Sequence, residues 1–342
     1  MLPAKEQFSG CLIGQSLGDA LGAPVEGQDP TSCARYVNSV LRGAEPAAAA
    51  RGLSALQPAR ELPLGQYTDD SQLARELMLS YVARGAFEAR DYAQRLGDLF
   101  RADRVVGAGR ATQEVGRRIA SGVAYEQAAI RAPSAGNSSA MRAAPIGLFY
   151  YDDPASLIAA ARDQSRVTHH DPRCAAGAVA IAGAVALALR QRPIVVESFL
   201  AQLAEWVRPI DQSVAFDVYQ LSAWGSLSPE AAATFMVRAG LCPGSSSEWR
   251  GVSSYVVTSV LWSLYCFLRT PEDYLETIYT AISAGGDADT TAAMAGAISG
   301  AHLGLALLPA RWTPRLTDRG QWGHTELIEI AERCYTRKHP PA

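Results

Sequence analysis

Two acidic stretches far apart in the chain carry the residue types from which chemistry can be built. "GQYTDDSQLARELM" sets Thr68, Asp69 and Asp70 ahead of an amphipathic pattern, and "SAGGDADTTAAMAGAISGAHLG" sets Asp287, Asp289 and Thr290 ahead of a small-residue run. Both read as loop-to-helix junctions. A cap needs one side-chain oxygen, and an acidic first turn suits the helix dipole. Each junction offers two carboxylates and a hydroxyl, more than capping uses, and the second lies in Gly-Gly and Ala/Gly surroundings with little room for water. If the junctions meet, each close carboxylate pair repels by roughly 4 kcal/mol at an effective dielectric near 20. No lysine lies beside either motif, and Arg75 is one helical turn along. Two divalent cations would balance the charge. Oxygen-only ligation by Asp and Thr selects Mg²⁺ or Mn²⁺ over zinc, in agreement with the absence of H-x-x-x-H and C-x-x-C spacings. Such an ion pair orients substrate hydroxyls and lowers the pKa of a bound water.

Further polar residues could serve the same site. Asp19 lies inside an apolar, glycine-spaced helix, where it either bonds a neighbouring group or supports the reaction, and Glu26 follows Pro24 in a loop, where a mobile carboxylate could act as general base. "SAGNSSAMRAAPIG" opens with Gly136, Asn137, Ser138 and Ser139, whose N–H groups and hydroxyls suit a phosphate or diphosphate, and "VGAGRAT" adds a second glycine loop at Gly107 and Gly109. Neither matches a P-loop or a strand-preceded dinucleotide fingerprint. "SRVTHHDPRC" puts His169 before Asp171 and Pro172, a pattern more often that of a satisfied structural histidine or a cap. No nucleophile-elbow or Cys–His signature supports covalent acyl chemistry.

The elements that must position these residues are helical. "SQLARELMLSYVARG" spaces Leu73, Leu77 and Tyr81 four apart and stops at Gly85, and "SFLAQLAEWV", "VVTSVLWSLYCFL" and "YLETIYTAIS" repeat the reading. Alternating segments are lacking, so the fold class is all-α, a multi-helix bundle forming one domain over residues 1–342. Loops are expected near 23–66 and 240–252, with a less regular tail after Pro309. "CAAGAVAIAGAVALAL", Cys174 to Leu189, is too short for a bilayer and reads as a central helix buried on all sides. Gly10, Gly14, Gly18 and Gly22 recur every fourth residue, as do Gly296, Gly300 and Gly304. Interior glycine costs about 1 kcal/mol relative to alanine, so these two helices are expected to gain by close backbone approach.

Composition narrows the class. In 342 residues, 48% are apolar and 19% charged, which is globular, and the Ala-rich patch at Ala44–Ala50 is short. The net charge of −3 leaves no basic footprint for nucleic acid and no polybasic arm for a membrane. Six scattered cysteines (Cys11, Cys33, Cys174, Cys242, Cys266 and Cys334) fit reduced thiols, and Gln15 and Asp19 interrupt the apolar start, so a cytoplasmic location is expected.

Taken in order, "GCLIGQSLGDALGAPVEG", "YTDDSQLA", "GNSSAMRAAPIGL", "SRVTHHDP" and "GGDADTTAAMAGAISGAHLG" resemble the ADP-ribosylglycohydrolase family, the dinitrogenase-reductase-activating and ADP-ribosyl-acceptor hydrolases. The resemblance implies an all-α domain with a dinuclear Mg²⁺ or Mn²⁺ site at the base of a cleft for ADP-ribose. It implies Thr68, Asp69, Asp70, Asp287, Asp289 and Thr290 as ligands, Glu26 as a flap carboxylate, and Asp19 and Asp289 in support of the reaction. Gly107, Gly109, Gly136, Asn137, Ser138 and Ser139 would meet ribose and diphosphate, with His169 lining the cleft and Tyr255 stacking on adenine. Departures from the family pattern are Ser138 for a glycine, Ala288 within the second acidic motif, and no acid near Gly107 of the kind some arginine-specific members carry. The expected activity is removal of ADP-ribose from a modified protein or small molecule, arginine-linked by the nearest motifs. A binding-only member and a two-metal phosphoesterase are the alternatives.

Overall fold

A computed structural model describes residues 2–43, 62–236, 238–239 and 251–340. The Ala44–Ala50 patch, Cys242 and much of both expected loops lie outside the described residues. Seventeen α-helices and no strand occur among the described residues. In chain order they are α1 (Lys5–Gly22), α2 (Pro30–Tyr36), α3 (Asp69–Arg84), α4 (Ala89–Arg101), α5 (Arg110–Ala120) and α6 (Tyr125–Ala128). Next come α7 (Ser138–Met141), α8 (Ala144–Phe149), α9 (Pro154–Arg166), α10 (Pro172–Arg190), α11 (Val196–Val207) and α12 (Gln212–Trp224). The last five are α13 (Pro229–Met236), α14 (Val256–Arg269), α15 (Tyr274–Ser283), α16 (Ala288–Leu303) and α17 (His324–Lys338).

The glycine spacing explains the central packing. A Cβ added at Gly10, Gly14, Gly18 or Gly22 would fall 2.6 Å or closer to the backbone oxygens of Gly300, Gly296, Ala292 and Ala288 respectively. The partners descend as the glycines ascend, so α1 and α16 run antiparallel with their backbones in contact. Tyr274 Oη donates to the Gly14 carbonyl at 2.6 Å and fixes the pair from α15. Gly304 shares the close approach, its carbonyl carbon 2.7 Å from a Cβ added at Gly10, but it does so as the residue that ends α16, at φ 81°. The antiparallel sense has a direct consequence for chemistry. It brings the end of α1, and the 3₁₀ turn Ala23–Val25 that follows, to the start of α16. Glu26 thereby arrives beside Asp287 and Asp289, which lie more than 250 residues away along the chain.

Helix α10 is the apolar centre. Every residue from Cys174 to Leu189 is buried, and it packs against α8, α9, α11, α14 and α16. Its 19 residues have the length and composition of a membrane span, yet 89% of the apolar window is covered by the rest of the molecule, so its neighbours, not lipid, satisfy its side chains.

Two expectations need correction. The stretch from residue 23 is not all loop, because Asp29 caps α2 by accepting from the Thr31 and Ser32 amides, with Pro30 at the first helical position. The tail after Pro309 carries the 15-residue α17, whose Leu327, Ile330, Ala331 and Cys334 are buried against α1 and α3.

Candidate metal-assisted active site

Helix α3 begins at the first acidic junction, and its cap comes from another helix. Thr68 is the N-cap residue but makes no side-chain cap bond. The fully buried Asp19 of α1 accepts instead from the Thr68 amide (3.0 Å), Thr68 Oγ1 (2.9 Å), the Ser71 amide (3.1 Å) and Ser71 Oγ (2.6 Å). Four donors satisfy one carboxylate, so the Asp19 side chain is committed to starting α3. Burial still outweighs those bonds and pushes its pKa up to about 7.

Helix α16 begins at the second junction. Gly285 and Gly286, both at positive φ, let the chain turn beside Val252 and Gln28. The Asp287 amide donates to the Val252 carbonyl at 2.6 Å, the Gly286 amide to Gln28 at 2.8 Å, and the Gly27 amide to Gly286 at 2.7 Å. The loop that carries Glu26 is thus stitched to the turn that carries Asp287.

The two junctions meet. Ligand oxygens of Glu26, Asp287 and Asp289 lie within 4.8 Å of one another. Burial lifts the Asp70 pKa well above the usual carboxylate range, with further lifts from the charges of Asp19, Asp69 and Asp287 against a lowering bond from Thr290. Burial does the same to Asp289, whose charged neighbours are Asp70, Glu26, Asp287 and Asp19. Each carboxylate therefore senses those of the other junction. Thr68 Oγ1, whose hydrogen goes to Asp19, also stands 3.0 Å from Asp70 Oδ2, while Asp70 Oδ1 is buried with no hydrogen-bond partner. An orphaned carboxylate oxygen, buried among other carboxylates, calls for a cation. The donors are all oxygen, which fits a hard divalent ion.

This cluster forms one wall of a cavity of 720 Å³. Of the expected residues, Glu26, Asp69, Asp70, Asp287, Asp289 and Thr290 line it, with Gly107 and Gly109, Gly136, Asn137 and Ser138, and Tyr255. Four expected residues do not. Asp19 lies behind Thr68 as described, and Thr68 itself is fully buried between Asp19 and Asp70. Ser139 Oγ turns away and donates to the Cys174 carbonyl at 3.0 Å. His169 stands behind the Gly136 wall, 1% exposed, rather than on the cavity surface. Arg142 Nη2 donates to Thr168 Oγ1 at 2.7 Å, Thr168 Oγ1 lies 2.8 Å from His169 Nδ1, and His169 Nε2 is buried with no partner. Burial and the charge of Arg142 lower the His169 pKa to about 4, so the ring is neutral near pH 7.

Sequence reasoning missed three contributors. Arg110, at the start of α5, lines the cavity next to Gly109. Ser253 and Ser254 line it opposite, and the Ser254 carbonyl accepts the Asn137 amide at 3.0 Å. Arg110 follows a visible glycine loop, but a lone arginine after glycine carries no spacing signal. The serines precede α14 in a stretch without periodicity.

An all-α fold built on an antiparallel glycine-packed helix pair, with an oxygen-only acidic cluster that could hold a cation in the wall of a cavity, is the setting of a hydrolytic site. The ADP-ribosylglycohydrolase family model matches residues 2–341, and the chain belongs to that family. Mouse ADP-ribosylhydrolase ARH3 is 32% identical, with 90% of this chain and 86% of the relative covered. The ADP-ribosyl-[dinitrogen reductase] glycohydrolase of Rhodospirillum rubrum is 24% identical, covering 90% of this chain and 89% of its own. Among solved structures, an ADP-ribosylglycohydrolase-related protein complex superposes with a TM-score of 0.66 at 28% identity, covering 98% of both chains.

Proposed function

We propose that this chain removes ADP-ribose from a modified acceptor by hydrolysing the glycosidic bond at the distal ribose C1″, with two divalent cations, Mg²⁺ or Mn²⁺, held by the acidic cluster. The carrying observation is the convergence of Glu26, Asp70, Asp287 and Asp289 on one wall of a cavity whose other walls are glycine loops. Asp69, Asp70, Asp287, Asp289 and Thr290 would hold the cations, with Thr68 setting Asp70 from behind. Bound there, the cations supply Lewis acidity and orient ribose hydroxyls.

The chain's own residues do the rest. Helix α5 starts at Gly109 with its first N–H groups and Arg110 at the cavity, a setting for diphosphate oxygens. Gly136 and Ser138 present backbone and hydroxyl to the ribose, with the neutral His169 ring packed behind Gly136. Tyr255 offers a ring face for adenine while its hydroxyl is within 3.5 Å of Arg173 Nη1. Glu26 sits on a short turn, partly exposed and next to Asp289, so it can accept the proton of the attacking water as the C1″ bond breaks. Five described cysteines are buried free thiols, which supports a cytoplasmic setting.

Arginine is the acceptor that the dinitrogenase-reductase-type motifs favour. A second reading, an oxygen-linked acceptor, is favoured by the charge at the cavity. Among its described lining residues the carboxylates all belong to the acidic cluster, and the remaining charged side chain is Arg110, so none is left over to pair with a guanidinium. The deciding experiment offers arginine-, serine-, cysteine- and nucleobase-linked ADP-ribose to purified protein with Mg²⁺ or Mn²⁺ and follows release by mass spectrometry. Intact ADP-ribose supports the proposal. AMP with ribose 5-phosphate would instead indicate phosphoester chemistry, and tight ADP-ribose binding without turnover a binding-only member.

A further inference from the structure

We propose that Gln72 and Asp318 are positioning residues that lock the Gly107–Gly109 loop to the acidic turn Asp69–Asp70, and so set how far the substrate portion held by the loop stands from the carboxylate cluster. The inference rests on the reading of the cavity as an ADP-ribose site.

Gln72 is fully buried just beyond the acidic junction, and its amide is spent on segment 104–106 and the support of that segment. Its Oε1 accepts the Val106 amide at 2.9 Å, and its Nε2 donates to the Arg104 carbonyl at 2.9 Å and to Asp318 Oδ1 at 2.8 Å. The Asp69 amide donates to the Val106 carbonyl at 2.7 Å. The first turn of α3 therefore grips residues 104–106 by three bonds, in the manner of a strand pair made partly from a side chain. Immediately after this grip Gly107 takes φ 84°, and the chain turns into the cavity beside Asp69 and Asp70.

Asp318 anchors the grip from the other end of the sequence. Its Oδ2 accepts from Arg75 Nη1 at 2.7 Å while Oδ1 receives Gln72. Arg75 is itself fixed by Glu76 Oε1 at 3.0 Å, by Tyr67 Oη at 3.2 Å and by the Trp322 ring 4.9 Å below its guanidinium. Segment 317–319 is held in place by a parallel bridge between Thr317 and Gln66 and by the Arg319 amide donating to Gln66 Oε1 at 2.8 Å. The Nε2 end of the Gln72 amide is thus tied through Asp318 to Arg75, while its Oε1 end holds the loop at Val106. Neither Gln72 nor Asp318 lines the cavity. A small displacement of the loop would move the substrate's contacts without touching the cluster.

The test compares wild type with Gln72→Leu, Gln72→Glu, Asp318→Asn and the exchanged pair Q72E/D318N, reading ADP-ribose affinity by calorimetry in Mg²⁺, steady-state KM and kcat, Val106 amide exchange and melting temperature. Both single Gln72 variants are expected to weaken ADP-ribose binding and raise KM by about 10-fold to 100-fold, a range typical of ångström-scale misplacement, with kcat changed less and Val106 protection lost in Gln72→Leu. In the exchanged pair, the new carboxylate at position 72 still accepts from the Val106 amide and now also accepts from the new side-chain amide at position 318, but the Arg104 carbonyl loses its donor, so affinity should recover above that of Gln72→Glu and stay below wild type. Folded Gln72 variants with wild-type affinity and KM, even if they melt lower, would overturn the proposal. Where those variants do not fold, wild-type affinity, KM and Val106 exchange in Asp318→Asn overturn it as well. Absence of ADP-ribose binding by wild type would instead remove the substrate reading on which it stands.

Discussion

Asn137 Nδ2 donates to Asp287 Oδ2 at 2.7 Å, joining two residues 150 positions apart. The same amide meets Ser259 Oγ at 3.2 Å, so it is held from α14 while it holds the carboxylate. Expected from the sequence as a substrate contact, Asn137 also orients one of the acidic groups, since a carboxylate with one oxygen pinned presents the other in a fixed direction.

Asn137→Ala should therefore lower activity or cation affinity by about 10-fold to 100-fold, the usual cost of losing a group that orients a ligand. Titration of Mn²⁺ by calorimetry or paramagnetic resonance measures it. Asn137→Asp should be worse than alanine, because it adds a carboxylate against Asp287. Wild-type Mn²⁺ affinity in Asn137→Ala would rule out the orienting role.

The glycine stripe gives a stability prediction. Gly18→Ala places a methyl group onto the Ala292 carbonyl, a backbone atom of a helix buried along its length. Alanine gains about 1 kcal/mol of helix propensity, but overpacking of a tight contact costs about 1–3 kcal/mol or more. Net destabilisation in urea or thermal melts is expected at Gly14, Gly18 and Gly300, and a more stable Gly18→Ala protein would mean that α1 and α16 do not approach this closely. Gly109→Ala offers an internal control for space alone, since a Cβ there meets nothing within 4 Å and its φ of −65° suits any residue.

The acidic cluster sets a pH dependence with a definite sign. Asp70 and Asp289 are shifted upward by burial and mutual repulsion, and Asp19 is pushed up to about 7. A carboxyl raised above its unfolded value binds more protons in the native state, so without cations the protein loses stability as pH rises from the ordinary aspartate value of 3.8 toward 7. Cations compete with those protons, so affinity for Mg²⁺ or Mn²⁺ should rise over the same window. Melting temperatures measured with EDTA and with Mn²⁺ across that window and one pH unit beyond it should diverge as pH increases. A cation-induced shift that is independent of pH would contradict the assignment.

How much of this is legible in the sequence follows from how each feature signals itself. The acidic junctions stand out because each holds more oxygen than a helix start uses, and the small-residue stripe because repeated glycine in a helix is costly unless backbones touch. Their meeting follows from the antiparallel sense of α1 and α16, which no local pattern encodes. Asp19 is ambiguous in sequence between a buried satisfied group and a reacting one, and its four hydrogen bonds to Thr68 and Ser71 show the first of those roles in full. Gln72 and Asp318 are invisible there because the partners of Gln72 lie 32 to 246 residues away, and a glutamine after T-D-D-S carries no signal of its own. Helix α2 is readable from Asp29-Pro30, an N-cap followed by proline.

Asp289 gives the sharpest test of the cation assignment because two observables should move in opposite directions. It is 3% exposed and faces Asp70, Glu26 and Asp287, so in cation-free protein its charge is a burden on the fold. Asp289→Ala removes that repulsion and opens only a small space at the edge of an existing cavity. The variant should therefore melt at or above the wild-type temperature in EDTA. In Mn²⁺ it should lose the stabilisation that wild type gains, which for a ligand at about 100 times its Kd is about 2.7 kcal/mol. Release of ADP-ribose should fall to background in the same preparation. Retention of turnover together with the Mn²⁺-induced shift would remove Asp289 from the cation site and, with it, the reason for five carboxylates to share one wall.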